Sequence, residues 1–203
     1  MKTIEIIGYK RANLGKSFSK QLRNEGNVPC VLYGGDEQVA FYAPMYLFRE
    51  LVYTKEAHFV TLNIEGETYR AILQDIQFHP VGDYIIHADF LQLFEGKTVK
   101  MNIPVVLEGK AIGVTKGGTL ILKRRHLTVK SLPKNMPDQI HVDISQLDFH
   151  SSVKVQDIET GDYEFLDTPR ASIAVVEIPR ALRGKSKEEL AAVGQEEDED
   201  GGE

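Results

Sequence analysis

Short runs of apolar and β-branched residues dominate the first half of the chain and predict six β-strands. Each run is bounded by glycine, proline or aspartate, which are typical of turns. The dipeptide Glu65-Gly66, between two such runs, predicts a tight hairpin. The predicted strands are Thr3 to Tyr9, Val28 to Tyr33, Gln38 to Tyr42, His58 to Ile64, Thr68 to Gln77 and Tyr84 to Leu93.

Two short helices interrupt this strand pattern. Ser17 predicts the start of the first helix, which ends just before Gly26, because serine caps helix starts and glycine favours helix ends. Pro44 opens a second helix that runs to about Val52. We therefore expect residues 1–95 to form a barrel-like α+β domain of six strands and two short helices.

The strand pattern restarts near residues 94–97, where we place a domain boundary. Residues 96–179 show almost no helical period and are expected to form a nearly all-β domain, so the fold class is β-rich α+β. Residues 180–203 end in a run of acids, glycine and glutamine, for which we expect a flexible, disordered tail. The strands predicted in the second domain are Met101 to Leu107, Thr119 to Leu122, His126 to Val129, Ile140 to Ile144, Val153 to Val155 and Ala171 to Ile178.

Charge is unevenly placed along the chain, whose net charge is -6. Residues 1–24 carry six Lys or Arg against one acid, and residues 97–134 carry nine against one. Because counterion release depends on the phosphates that a local patch contacts, two basic regions favour a polyanion partner even on an acidic protein. The second region is equally consistent with a solvated strand face; its cations include Lys116, Lys123, Arg124, Arg125, Lys130 and Lys134.

Several classes of function are excluded by simple counts. No apolar run approaches the roughly 18 to 20 residues needed to cross a bilayer, so we expect a cytoplasmic protein without a membrane partner. Cys30 is the only cysteine, which rules out an intrachain disulfide and predicts a small buried hydrophobe. Gly15-Lys16-Ser17 resembles the end of a P-loop, but position 10 is Lys where that motif needs glycine, so nucleotide hydrolysis is rejected.

The first predicted helix is strongly two-sided. Lys16, Lys20 and Arg23 stand at i, i+4 and i+7 on one side, while Phe18 and Leu22 fall opposite. A solvated basic face would show the same spacing. Contacts with phosphates and sugars are favoured over a merely solvated face because further suitable residues lie nearby. These residues are Lys10, Arg11 and Tyr33 with its following glycine pair.

His87-Ala88-Asp89 places an imidazole and a carboxylate on the same side of a strand. With His141 this matches the residue types of a two-histidine, one-carboxylate iron site. However, His141-Val142-Asp143 repeats the spacing, which shows how easily an alternating strand produces it, so we predict no metal site. Hydrogen bonding to RNA base edges or 2′-hydroxyls is the alternative for His87 and Asp89.

Many spaced residues together resemble the family of bacterial large-subunit ribosomal protein number twenty-five, in the long two-domain form called CTC or general stress protein. The similarity covers about residues 1–179 in order. It rests on Gly15-Lys16, Leu22-Arg23, Gly26, Pro29, Leu32-Tyr33-Gly34, Gln74-Asp75, His79-Pro80, His87-Ala88-Asp89-Phe90, Pro104, Gly109, Gly113-Val114, Gly117-Gly118 and the stretch from Pro137 to Leu147.

This resemblance implies a non-enzymatic component of the central protuberance, with no cofactor, whose N-terminal barrel binds 5S ribosomal RNA. Cations would hold phosphates, and polar strand residues would bond to sugars or base edges. Family members often carry an arginine pair where this chain has Lys20-Gln21, and Lys supplies only a point charge. The RNA-facing residues would be Arg11, Lys16, Ser19, Lys20, Arg23, Tyr33, Gln74, His87 and Asp89.

The resemblance also implies further partners in the large ribosomal subunit. The C-terminal domain would meet neighbouring ribosomal proteins or 23S ribosomal RNA, and we expect a monomer when the protein is off the ribosome. An alternative from another class stays open: a stress-related, protein-binding β adaptor that is not stably bound to the ribosome. In that case the basic strip, from Lys10 to Arg23, would meet an acidic partner.

Overall fold

The computed structural model describes residues 1–35 and 37–179. The predicted acidic tail lies outside these described residues. Two compact units are present: Met1–Asn102 together with Lys130–Asp138, and a second unit of Ile103–Val129 together with the described residues from Gln139 onward. The domain limits proposed from the sequence stay a prediction.

Six strands close into a barrel in the first unit, in the order β1-β3-β2-β6-β5-β4. The prediction of a six-stranded barrel is therefore confirmed. The pairs β1-β4 and β2-β6 are parallel, and the other neighbours are antiparallel. The strands are β1 (Thr3–Lys10), β2 (Asn27–Tyr33), β3 (Val39–Pro44), β4 (Phe59–Ile64), β5 (Glu67–Phe78) and β6 (Ile85–Gln92).

Alternate residues of these strands point into the barrel and form its core. Phe90 lies at its centre, with its ring centroid 5.8 Å from that of Phe41 and 6.3 Å from that of Phe48. Cys30 is fully buried in the same core, and burial raises the pKa of its thiol well above the ordinary value. The prediction that Cys30 acts as a small hydrophobe is confirmed.

The first helix, α1 (Lys16–Asn24), ends as predicted and begins differently. Gly26 follows it with a φ of 76°, in the left-handed region that favours glycine. The predicted cap at Ser17 is wrong: Gly15 is the N-cap residue, with a φ of 148°, and no side chain caps the helix. Glycine reaches this backbone conformation without a Cβ penalty, so the helix starts two residues earlier than a serine cap would set it.

Unlike the first helix, the second helical segment begins where the sequence indicates. Pro44 precedes a 3-10 turn over Met45–Phe48, which continues into α2 (Arg49–Val52). Phe48 is fully buried and packs on Phe90, so this segment covers one end of the barrel core.

Residues 96–179 are rich in strands, as predicted. One sheet has the order β10-β7-β9-β12 and another β11-β13-β8. The short strand β12 and the helical turn α3 (Ile112–Thr115) were not predicted, because two to four residues carry no periodic signal. The strands are β7 (Val99–Glu108), β8 (Thr119–Leu122), β9 (His126–Ser131), β10 (Ile140–Asp143), β11 (Ser152–Lys154), β12 (Glu164–Phe165) and β13 (Ser172–Glu177).

None of the helices in the described part of the chain has the length and apolar character that crossing a bilayer requires.

Candidate RNA interface

Helix α1 presents its cations on one side and buries the other. Leu22 is 3% exposed and anchors the helix against the barrel, where α1 packs on β2. Lys16 and Lys20 are exposed, and within the described residues neither has a hydrogen-bond or ion-pair partner. Their ammonium groups are therefore available to an anion. We call Lys16, Lys20 and Arg23 the helix face.

Arg23 connects this helix to strand β6. Its side chain is half-buried, and its Nε donates a hydrogen bond of 3.0 Å to the carbonyl oxygen of Ile86. The next residue of that strand is His87, so the C-terminal end of α1 is fixed beside a second group of predicted site residues. The interaction places the two groups in one continuous surface.

Arg11 and Ser19 hold the other end of α1. The Arg11 Nη2 donates to the Ser19 Oγ at 2.9 Å, and the Ser19 hydroxyl donates to the carbonyl oxygen of Gly15, also at 2.9 Å. The guanidinium lies 5.9 Å from the ring centroid of Phe18. The Arg11 Nε is buried without a hydrogen-bond partner in the described residues. Arg11 therefore positions the helix start, and only part of its guanidinium is left for a ligand.

Lys10 is engaged elsewhere. Its Nζ lies 2.9 Å from a carboxylate oxygen of Glu67, which also accepts a hydrogen bond from the Tyr69 hydroxyl. The bond to Glu67 raises the pKa of Lys10, and Lys10 and Tyr69 together lower the pKa of Glu67. Lys10 is thus already ion-paired with Glu67, and the phosphate contact expected of it stays a prediction.

Beside the helix, strands β2, β5 and β6 present a polar surface that we call the strand face: Tyr33, Asp75, His87 and Asp89. Ala88 and Phe90 point into the core, so His87 and Asp89 point outward. The His87 Nδ1 lies 3.0 Å from an oxygen of Asp89, which confirms that the two side chains share one side of the strand.

Tyr33 belongs to the same surface. Residue 33 pairs with Leu91 across the parallel β2-β6 ladder, two positions beyond the pair of Val31 with Asp89. Partial burial, then the charges of Asp89 and Asp75, raise the pKa of the Tyr33 phenol. The hydroxyl therefore stays protonated near neutral pH and can donate a hydrogen bond.

A β-bulge places Gln74 at the edge of this surface. Leu73 pairs with Phe90 and Asp75 pairs with Asp89, so Gln74 is the extra residue of β5. Its side chain is exposed. An extra residue redirects the side chains that follow it, and Asp75 comes to lie directly opposite Asp89.

Two further residues of this surface, Asp75 and Gln77, were not predicted from the sequence. The β5-β6 register places Gln77 opposite His87 and Asp75 opposite Asp89. The motif Gln74-Asp75 was visible in the sequence, but the cross-strand partner of each residue was not, because the bulge shifts the register. Of the nine predicted residues, Arg11 follows β1, and the others lie in α1 or in strands β2, β5 and β6.

The described residues contain no group of three or more His, Cys, Asp or Glu side chains arranged to hold a metal ion. His141, which the iron hypothesis required, instead has its Nδ1 2.6 Å from Glu108.

The second basic region is partly neutralised. Lys116 lies 3.0 Å from Asp148, and Arg124 forms an ion pair with Asp167, which also accepts the backbone N–H of Thr128. These partners lie 32 and 43 residues along the chain, so the local sequence could not reveal them. The helix face is the better candidate for a polyanion.

Comparisons with known proteins match both halves of the chain. Residues 6–90 match the Ribosomal L25p family, and residues 98–180 match the C-terminal domain of ribosomal protein TL5. The chain is 58% identical to the large ribosomal subunit protein bL25 of Amoebophilus asiaticus, over 93% of this chain and 96% of the relative. It is 52% identical to the bL25 protein of Cytophaga hutchinsonii, over 95% and 98% of the two chains. Against the bL25 protein of Bacteroides fragilis the identity is 42%, over 91% and 96%.

Proposed function

The chain belongs to the Ribosomal L25p family, in its two-domain form, and on that premise we propose that its N-terminal barrel binds 5S ribosomal RNA in the central protuberance of the large subunit. The family consists of structural ribosomal proteins, so the chain is not an enzyme and its place is the bacterial ribosome. The RNA partner, the residues that contact it and the position in the subunit are the content of the proposal.

The observation that carries the proposal is the junction at Arg23. Its hydrogen bond to the Ile86 carbonyl oxygen fixes a row of exposed cations beside His87 and Asp89. RNA recognition needs both kinds of group, because cations on phosphates position the protein while polar groups on base edges and sugars provide specificity. The barrel supplies both on one surface.

Each face has its own chemistry in this proposal. Lys16 and Lys20 of the helix face bind backbone phosphates as point charges. Tyr33 donates from its protonated hydroxyl, and Gln74 offers both donors and acceptors to a base edge or a 2′-hydroxyl. Asp89 accepts from exocyclic amines.

The acidic pair on the strand face supports a base-reading role. Asp75 and Asp89 pair across β5 and β6, so this part of the surface repels phosphate. RNA is favoured there only if it presents amino or hydroxyl groups to the two carboxylates. The repulsion penalises RNA that offers only its backbone, which is a source of specificity.

The test is a competition experiment with the full chain, free of nuclease, between 5S ribosomal RNA and transfer RNA. We expect at least roughly tenfold tighter binding to 5S RNA. The double change Lys16→Ala with Lys20→Ala should weaken binding to both RNAs, while Lys110→Ala, an exposed lysine outside the barrel strands and α1, should leave it unchanged. Equal affinity of the unaltered chain for the two RNAs would refute the proposal.

Two further partner assignments follow from the same family membership. The second domain would contact neighbouring ribosomal proteins or 23S ribosomal RNA, and the free protein would be a monomer. Cross-linking within purified large subunits identifies the first, and the sedimentation of the free chain determines the second.

A further inference from the structure

A pocket of about 500 Å³ lies at the C-terminal end of α1, outside the two faces described above. Its floor is apolar, with Ile85 only 3% exposed. Its walls carry two tyrosine rings and two opposite charges. We call it the tyrosine pocket; its lining residues are Met45, Arg49, Tyr53, Asp83, Tyr84 and Ile85.

We propose that the tyrosine pocket receives one unpaired base of the bound RNA. This inference rests on the proposed function and extends its interface by a base-binding site. A cavity of this size, with aromatic walls, an apolar floor and a few polar groups, is suited to a planar heterocycle. Base stacking on an aromatic ring tolerates any sequence, because every base has a π-face.

The pocket is continuous with the helix face. The Met45 backbone N–H donates to the carbonyl oxygen of Gly26, which directly follows the end of α1. On the other side, Ile85 precedes Ile86, whose carbonyl oxygen accepts the bond from Arg23. Along β6 the pocket lies four residues before Asp89, about 13 Å at the usual strand rise. RNA that follows the helix face past Arg23 reaches the pocket next.

Tyr84 is held in a fixed orientation. Its ring stacks on His79, with centroids 4.6 Å apart and planes inclined by 18°. The His79 ring is itself fixed, because its Nδ1 accepts the backbone N–H groups of Val81 and Gly82 at 3.3 and 3.1 Å. A ring that is ordered before binding loses little conformational entropy when a base stacks on it.

The charges suit a nucleotide better than an apolar peptide. Arg49 is exposed at the pocket wall and can pair with a backbone phosphate, and its planar guanidinium can also stack on a base. The Asp83 carboxylate can accept from the amino group of adenine, cytosine or guanine. Tyr53 is 68% exposed, so its ring is accessible to a base that enters the pocket.

The test measures 5S RNA affinity of full-length variants. Tyr53→Ala and Tyr84→Ala should each weaken binding by about five- to a hundredfold, and Tyr53→Phe should retain it, because stacking needs the ring and not the hydroxyl. Tyr46→Ala is the matched control, since Tyr46 is 75% exposed in the adjacent 3-10 turn but does not line the pocket. Thermal unfolding confirms that each variant is folded.

A second readout does not depend on 5S RNA. Nucleoside monophosphates, titrated one at a time into the isotope-labelled chain, should shift the NMR signals of Tyr53 and Tyr84, and Tyr53→Ala should abolish the shifts. If the unaltered chain does not prefer 5S RNA but these shifts occur, the proposed function fails while the pocket keeps its ligand class. Absence of shifts, with Tyr53→Ala and Tyr46→Ala equal in RNA affinity, overturns the inference. Variants that bind RNA normally but fail to enter large subunits would assign the pocket to a protein and overturn it as well.

Discussion

The helix face and the strand face lie side by side and are built in opposite ways. The helix face comes from eight consecutive residues, Lys16 to Arg23, and is positively charged. The strand face is assembled from β2, β5 and β6, up to 56 residues apart in the chain, and contains two carboxylates. If the proposed interface is correct, attraction to RNA is encoded locally in the sequence, whereas discrimination among RNAs depends on closure of the barrel.

The largest effect is expected from a change in the packing that holds the helix face beside the strand face. Leu22 is 3% exposed and packs α1 against the barrel, so Leu22→Ala removes the apolar anchor of the helix face. We expect a loss of about 2–5 kcal/mol in the free energy of unfolding, because the truncation leaves a cavity. RNA affinity should fall as well, since α1 no longer holds its cations beside β6. Chemical denaturation and RNA titration measure the two effects.

Leu14→Ala is the control for this change. Leu14 is 72% exposed just before the helix, so the same truncation there should alter the free energy of unfolding by less than about 0.5 kcal/mol. If Leu22→Ala were no more destabilising than Leu14→Ala, α1 would not depend on its buried side, and the helix face would not be rigidly placed.

Sequence reasoning succeeded where the signal is local. The two-sided spacing of α1 and the hairpin at Glu65-Gly66 are short-range features, and both are present in the structure. The predicted helix start was wrong because Gly15, and not Ser17, is the N-cap residue, with a φ of 148° that glycine adopts without a Cβ penalty.

Prediction from the sequence failed where a contact joins two residues that are far apart in the chain. Lys10 belongs to the basic strip, but its ion pair with Glu67, 57 residues away, was not visible in the sequence. Asp75 gains its place opposite Asp89 only through the bulge at Gln74. Neither partnership leaves a trace in the local pattern, because the closed barrel alone brings these residues together.

The strand face should determine which RNA is preferred. Asp89→Asn keeps the size of the side chain but removes its charge and replaces one of its two acceptor oxygens with an NH2 donor. We expect the ratio of affinities for 5S RNA and transfer RNA to fall by roughly five- to a hundredfold, because one good base contact contributes about 1–3 kcal/mol of discrimination. Competition binding at fixed salt measures this ratio.

Glu95→Gln provides the comparison, since it removes an equal charge at an exposed position outside the strand face. It should leave the ratio unchanged. A variant Asp89→Asn that binds both RNAs more tightly by the same factor would mean that Asp89 only repels phosphate in general, and the strand face would then lose its proposed role in reading bases.

The helix face should show the smallest effect and the least selective one. Lys16→Ala is expected to weaken binding to 5S RNA and to transfer RNA alike, by about tenfold or less, and to reduce the slope of log affinity against log salt by about one phosphate contact. Lys10→Ala is a stringent control, because it removes the same charge from the same basic strip but from a lysine already paired with Glu67. If net charge governed binding, the two variants would behave identically. A smaller salt slope for Lys16→Ala alone would show that the exposed lysine itself contacts phosphate, which is the property that separates the helix face from the rest of the strip.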